Sequence, residues 1–160
     1  VIRPATEADV PLILALIREL ADFERLAHEV VAEEAQLRAA LFGPRPVAEV
    51  VLGFADDGHP AGFALFFPNF STFLGTAGIY LEDLFVRPRF RRLGLGRALI
   101  RHVAALAVAR GCGRFEWAVL DWNENAIKFY RQLGAGVLDD WRICRVAGKA
   151  LQHLGGGARE

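Results

Sequence analysis

Two acids, Glu82 and Asp83, stand side by side in the otherwise apolar run GIYLEDLFV (residues 78–86). Side chains alternate along a strand, so the pair is expected to face opposite sides. Tyr80, Leu84 and Val86 would share the face of Glu82, and Ile79, Leu81 and Phe85 that of Asp83. In a central strand at least one carboxylate is then partly buried. Burial favours the neutral acid and makes the carboxylate a stronger base near neutral pH. An edge strand with one acid in water and the other paired to an arginine accounts for the same run. Immediately after it comes RFRRLGLGRALI (residues 89–100), four arginines around two glycines leading into an apolar helix. A helix start carries unpaired N–H groups and partial positive charge, and glycines let backbone approach an anion, so this turn suits a phosphate. No Gly-Lys-Ser/Thr follows, and Leu99 occupies the third glycine position of G-x-G-x-x-G, so a nucleotide P-loop and a dinucleotide fingerprint are both excluded. A solvated basic turn also fits this stretch. Arg89, Arg91, Arg92 and Arg97 are expected to add charge around its rim.

These residues need elements to hold them. VIRPA predicts a short strand. Thr6 followed by Asp9 reads as an N-cap with an acid three residues on, and Val10, Ile13, Leu14, Ile17 and Leu20 give an amphipathic helix over 7–21. A second helix is expected over about 32–41, closed by GPRP. Two strands flank DDGH, whose Asp57-Gly58 signals a hairpin. Residues 68–78 read as loop or turn, and 79–86 as the next strand. A helix runs from Leu95 to Arg110, with Gly111 as its stop. RFEWAVL predicts a strand, Asn123 or Asn125 caps a helix through Leu133, and WRICRV predicts a last strand. By itself the helix in DWNENAIKFYRQLGA is only a helix, with Tyr130 near its C-terminal end. Strands mixed with four helices give an α/β or α+β domain with a mixed sheet.

Composition narrows the function. Nineteen basic against nineteen acidic residues leave a formal net charge of +0, which argues against a general nucleic-acid binder despite the local arginines. A chain of 160 residues with 53% hydrophobic residues reads as one domain, expected over 1–154, with GGGARE (155–160) as a flexible tail. Cys112 and Cys144 have no metal or redox spacing, and His28, His59, His102 and His153 share no ligand spacing, so no metal is expected. His28 directly follows DFERLA. The N-terminal stretch lacks the layout of a signal peptide, and no apolar run is long enough to span a membrane; a cytoplasmic protein is expected.

Together these pieces resemble the GCN5-related N-acetyltransferase (GNAT) superfamily. RRLGLG (Arg91 to Gly96) matches its R/Q-x-x-G-x-G/A pyrophosphate loop, and WNENAIKFYRQLGA matches the later block in which an Asn precedes a helix carrying a Tyr. VIRPAT, ELADFE, YLEDLFV and WNENAIKFY, in that order, resemble the diamine acetyltransferase branch, which takes spermidine, spermine or thialysine. The resemblance covers almost the whole chain. It implies a mixed, mostly antiparallel central sheet splayed at the strand 79–86 and flanked by about four helices. It implies acetyl-coenzyme A as cofactor, with its pyrophosphate held at Arg91, Arg92, Leu93, Gly94, Leu95, Gly96 and Arg97. The pantetheine arm would lie along Leu84, Phe85 and Val86, with further contacts from Asn123 and Tyr130. Glu82 matches the family's water-relayed base and Tyr130 its acid. Glu24, Glu82, Asp83 and Trp141 match positions of the acceptor site. A homodimer and a small-molecule amine substrate are implied, with no nucleic acid or membrane as partner.

Three departures bear on the acceptor. Ser71, Thr72 and Phe73 stand where polyamine-specific members carry an acid and a Trp. Phe23 replaces a Tyr of the acceptor pocket, and Asp22 replaces a Lys. A distant second ammonium would lose an ionic partner, so a thialysine-like amino acid or a short diamine is expected in preference to spermine. A coenzyme A sensor that lost turnover is the competing account; the presence of Glu82 and Tyr130 argues against it.

Overall fold

The computed structural model describes residues 1–156. Cα packing divides the chain into two compact units, one of residues Val1–Ala118 and one starting at Val119. The first holds a five-stranded sheet in the order β1-β2-β3-β4-β5. Its strands are β1 (Ile2–Pro4), β2 (Glu49–Phe54), β3 (Pro60–Ser71), β4 (Thr76–Val86) and β5 (Phe115–Trp117). Neighbours are antiparallel except β4 and β5, which run parallel. The mixed, mostly antiparallel sheet is the one expected.

Three helices of this unit cover the sheet: α1 (Val10–Phe23), α2 (Glu34–Phe42) and α3 (Leu95–Ala109). Alternation along β2 decides which face each takes. Leu52 packs in one cluster with Ile13, Leu16 and Leu20 of α1 and Leu41 of α2. A Cβ at the adjacent Gly53 would instead point at Leu95, 3.0 Å away. So α1 and α2 lie on one face and α3 on the other, and Val50, Val51 and Leu52 are buried in succession because both faces are covered. Helix α1 begins three residues later than the period predicts. A 3-10 turn, Glu7–Asp9, precedes it, with the Asp9 carboxylate accepting from the Thr6 N–H at 2.7 Å and from Arg3 at 2.7 Å. The DDGH hairpin is as expected, with Gly58 at φ 84.

The region 68–78 is strand for most of its length, not loop. Pairs Asn69↔Gly78, Phe70↔Ala77 and Ser71↔Thr76 extend the β3–β4 ladder, leaving only residues 72–75 as the turn. Pro68 is tolerated because β2 pairing ends at Phe66, so β3 is bonded on one side only there. The strand expected over 114–120 is confined to Phe115–Trp117.

The second unit contains α4 (Glu124–Gln132) and α5 (Gly148–Gly156). Asn123 is the N-cap of α4, its Oδ1 accepting from the Ala126 N–H at 3.3 Å. Gly134, at φ 96, lies just past the helix end. The strand expected at WRICRV does not form. Residues 141–146 are exposed and lack regular structure, because period-2 patterning makes a strand only where a neighbour completes the ladder. Helix α5, which sequence periodicity did not reveal, takes in Gly155 and Gly156 of the expected tail; residues 157–160 lie outside the described residues.

Candidate active site

The site grows from a parting between two strands. β5 pairs with β4 at Ile79, Tyr80 and Leu81 only, and ends at Trp117. β4 runs on for five residues, Glu82 to Val86, with β3 on one side and, among the described residues, no strand on the other. An unpaired strand edge presents backbone N–H and C=O groups ready to bond an extended ligand. This is the splay that the sequence comparison with the superfamily implies.

At the start of the open edge the register slips. Leu65 pairs with Asp83, but Phe66 pairs with Leu81, so Glu82 is the extra residue of a β-bulge. A bulge re-aims side chains and breaks strict alternation. Glu82 is exposed, whereas Asp83 is half-buried. Burial, helped by the neighbouring negative charges of Glu82 and Glu24, pushes the Asp83 carboxyl up to about 7. Glu24, just beyond the end of α1, is raised as well, again by burial. The structure therefore gathers Glu24, Glu82 and Asp83 into one acidic corner, and the perturbed acid is Asp83. Because Leu65 and Phe66 face opposite sides, so do their partners Asp83 and Leu81, and the expectation that Ile79 and Leu81 share the face of Asp83 is corrected.

After Val86 the chain turns through the basic loop. Arg87 ties its first residue down: Nε and Nη2 bond the Glu19 carboxylate at 2.9 and 2.8 Å, and Nη1 bonds the Pro60 carbonyl at 2.9 Å. Phe90 is buried and Arg89 lies over its ring, 4.4 Å from the centroid. Arg91 is not the rim charge that composition suggests. Its Nε donates to the Val86 carbonyl at 2.8 Å, and its guanidinium lies 4.6 Å from the ring centroid of Phe23. Arg92 follows at φ 66 and Gly94 at φ 79, both in the left-handed region. Leu93 is exposed.

Helix α3 then starts at Leu95, and its first internal bond is Ala98 N–H to the Gly94 carbonyl at 3.0 Å. The N–H groups of Leu95 and Gly96 precede that bond, at the helix start. Above Gly94 a Cβ would meet nothing within 4 Å, and above Gly96 it would meet only a Val86 methyl at 3.8 Å. An open cradle, amide N–H groups and a helix N-terminus suit a diphosphate, next to a strand edge that can bond an amide-bearing arm. These residues fit coenzyme A, a diphosphate carrying an extended chain with two amides.

The remaining expected site residues belong to the second unit. Asn123 uses its side-chain oxygen as the α4 cap. Tyr130 sits half-buried in the last turns of α4, its ring 5.5 Å from that of Phe129. Trp141 is 79% exposed, in the segment without regular structure. His28 is exposed on the 3-10 turn Ala27–Glu29, and His59 closes the hairpin turn on Asp57. Cys112 and Cys144 are free thiols. Among the described residues no helix is long and apolar enough to cross a membrane, and no three His, Cys, Asp or Glu side chains cluster as a metal site.

Sequence reasoning missed the bulge and the Arg87 and Arg91 anchors. Two adjacent acids in an apolar strand are a signal for a bulge, since strict alternation would bury one of them on a packed face. The destinations of the two arginines had no local signal.

Residues 14–135 match the model of the acetyltransferase (GNAT) family. L-ornithine N5-acetyltransferase NATA1 of Arabidopsis thaliana is 40% identical, over 96% of this chain and 86% of its own length. Thialysine N-epsilon-acetyltransferase of Mus musculus is also 40% identical, over 97% of this chain and 96% of its own. Among solved structures, an integron cassette protein from the mobile metagenome of V. cholerae superposes with a TM-score of 0.81 at 25% identity, covering 98% of both chains. The family match and these relatives show that the chain belongs to the acetyltransferase (GNAT) family.

Proposed function

We propose that this acetyltransferase moves the acetyl group of acetyl-coenzyme A to a primary amine of a small diamino acid, ornithine-like or thialysine-like, or of a short diamine. The observation that carries the reading is the acidic corner of Glu24, Glu82 and Asp83 at the start of the open β4 edge. Such a corner attracts an ammonium and sits where the edge begins to receive an extended cofactor. The names of the two relatives, which act on ornithine and thialysine, support the same acceptor class. Ser71, Thr72 and Phe73 supply no carboxylate for the far ammonium of a long polyamine. The family match crosses both compact units, which supports one catalytic domain over 1–154. The reading includes a cytoplasmic homodimer.

An alkylamine of this kind has a pKa near 10.4 and arrives protonated at neutral pH. Asp83 and Glu24 hold the ammonium, and exposed Glu82 takes its proton through water. Acetyl-coenzyme A, when bound, supplies an activated acetyl group that the free amine displaces from sulfur. Backbone N–H groups at the open edge of Leu84 to Val86 donate to the oxygen where charge develops. The amides of Arg92 to Arg97, with Arg91 bracing the loop, hold the diphosphate, and Asn123 and Trp141 contact cofactor and acceptor respectively. Tyr130 gives the sulfur its proton.

Because a thiol has a reference pKa of only about 8.5, its thiolate departs with modest help. Tyr130→Phe is therefore expected to lower kcat about tenfold, below the usual range for general acids, with little effect on coenzyme A affinity because the ring is kept. Steady-state kinetics paired with calorimetry checks this; an unaltered kcat removes Tyr130 from the proton path.

The function itself is tested with an amine panel of ornithine, thialysine, lysine, 1,3-diaminopropane, putrescine and spermine, with thiol release and product mass as readouts. The diamino acids or short diamines are expected to turn over fastest. No release above buffer hydrolysis across the panel would overturn catalysis, and spermine as the best acceptor would overturn the specificity.

A further inference from the structure

Two non-glycine residues among the described ones have positive φ, Arg25 at 62 and Arg92 at 66. A non-glycine residue stays in the left-handed region only when its surroundings impose it. The two are far apart in sequence, yet one contact joins them. Arg91, immediately before Arg92, stacks on Phe23, which lies two residues before Arg25. Between Phe23 and Arg25 is Glu24, part of the acidic corner. Arg91 is further braced by the Val86 carbonyl at 2.8 Å and by the Phe85 ring at 5.7 Å. Its partly desolvated guanidinium is thus held by a carbonyl and two aromatic faces, an arrangement in which the π contact counts for more than at an exposed site.

We infer that Phe23 is a positioning residue for the phosphate loop, and that its stack on Arg91 couples coenzyme A affinity to amine affinity. The inference rests on the reading that this loop binds coenzyme A. Phe23 acts through Arg91, whose guanidinium lies over its ring. It holds Arg91, which fixes the approach to the left-handed bend at Arg92 and so aims the following amides. An ammonium held at Glu24 orders the end of α1 and with it Phe23; a diphosphate in the loop orders Arg91 and presses back on the same ring. Coupling of this sort is reciprocal, so each ligand tightens the other by the same factor.

The test uses free coenzyme A, which lacks the acetyl group and so permits an unreactive ternary complex. Its Kd is measured by calorimetry without and with a saturating amount of the fastest amine of the panel above, for the wild type, Phe23→Leu, Phe23→Trp and Arg91→Lys. Phe23 is 43% exposed, so leucine leaves the core intact, which thermal unfolding verifies. In the wild type the amine is expected to tighten coenzyme A about threefold to fivefold. Phe23→Leu and Arg91→Lys, which lose the planar stack, weaken coenzyme A about fivefold and abolish the effect of the amine. Phe23→Trp restores both, an outcome a purely space-filling role would not produce. Unchanged coenzyme A affinity in a folded Phe23→Leu, or failure of tryptophan to rescue, overturns the positioning role, and absence of amine coupling in the wild type overturns the coupling. A wild type that binds no coenzyme A at all fails the underlying reading instead.

Discussion

Gly94→Val is expected to weaken coenzyme A binding about 100-fold while the protein remains folded. Gly94 sits at φ 79, directly before the first residue of α3. A β-branched side chain in the left-handed region costs about 1–2 kcal/mol, which lowers stability or shifts the backbone out of its bend. A Cβ there meets nothing of the protein within 4 Å, so the bulk of the valine projects into open space. On the reading above, that space receives the diphosphate. Losing the close approach removes charge-assisted bonds from two or three amides, each about 1.5–3 kcal/mol, of which a net of about 3 kcal/mol corresponds to the 100-fold loss. Gly96→Ala separates the two effects. Gly96 has no positive φ, its Cβ would rest in ordinary contact with Val86, and alanine favours a helix by about 1 kcal/mol. It is expected to keep or raise the melting temperature and still weaken coenzyme A severalfold. Calorimetric titration with thermal unfolding checks both variants. Binding unaltered in both would refute the phosphate cradle.

What the sequence disclosed and what it withheld divide along a physical line. The 95–109 helix was legible because its apolar residues recur with the helical period and Gly111 stops it locally. The turn before α3 was legible because the left-handed bend at Gly94 favours glycine and helix starts are composition-marked. Features set by a partner distant in sequence were not legible. The bulge at Glu82 depends on how β4 registers against Leu65 and Phe66 of β3, so alternation alone put Ile79 and Leu81 on the face of Asp83, where the register sets them opposite it. Arg91 looked like one of four equivalent loop charges, yet its place is decided by Phe23 at the end of α1. Residues 68–78 read as loop or turn because nothing local shows that β3, with Pro68 in it, has already lost its β2 neighbour there. WRICRV errs in the opposite sense, with strand patterning in a segment that has no strand to pair with.

Asp83→Asn is expected to raise stability and damage catalysis at once. The Asp83 carboxyl, ordinarily near 3.8, is held at about 7 by burial and by Glu82 and Glu24. A raised acid pKa means that, between pH 4 and 7, the folded state binds a proton that the unfolded chain releases. Stability therefore falls as pH rises through that window, and the penalty is fully present above pH 7. Asparagine has no charge to desolvate, so at pH 8 it is expected to recover about 1–3 kcal/mol and raise the melting temperature by several degrees. Below pH 4, where both states are protonated, wild type and variant converge. Amine binding runs the other way. The ionised carboxylate is the form that attracts an ammonium, so in the wild type KM for the amine rises as pH falls below 7. Asp83→Asn is expected to raise that KM at least tenfold at pH 8, corresponding to loss of about 1.4 kcal/mol or more of a partly buried charge–charge contact, and to flatten its pH dependence between 6 and 8. Melting curves and amine KM across pH 5 to 9 test the two halves together. A variant that is neither more stable at pH 8 nor weaker for the amine would show that Asp83 does not carry the buried charge of the acidic corner, and Glu24 would take its place as the group that receives the acceptor.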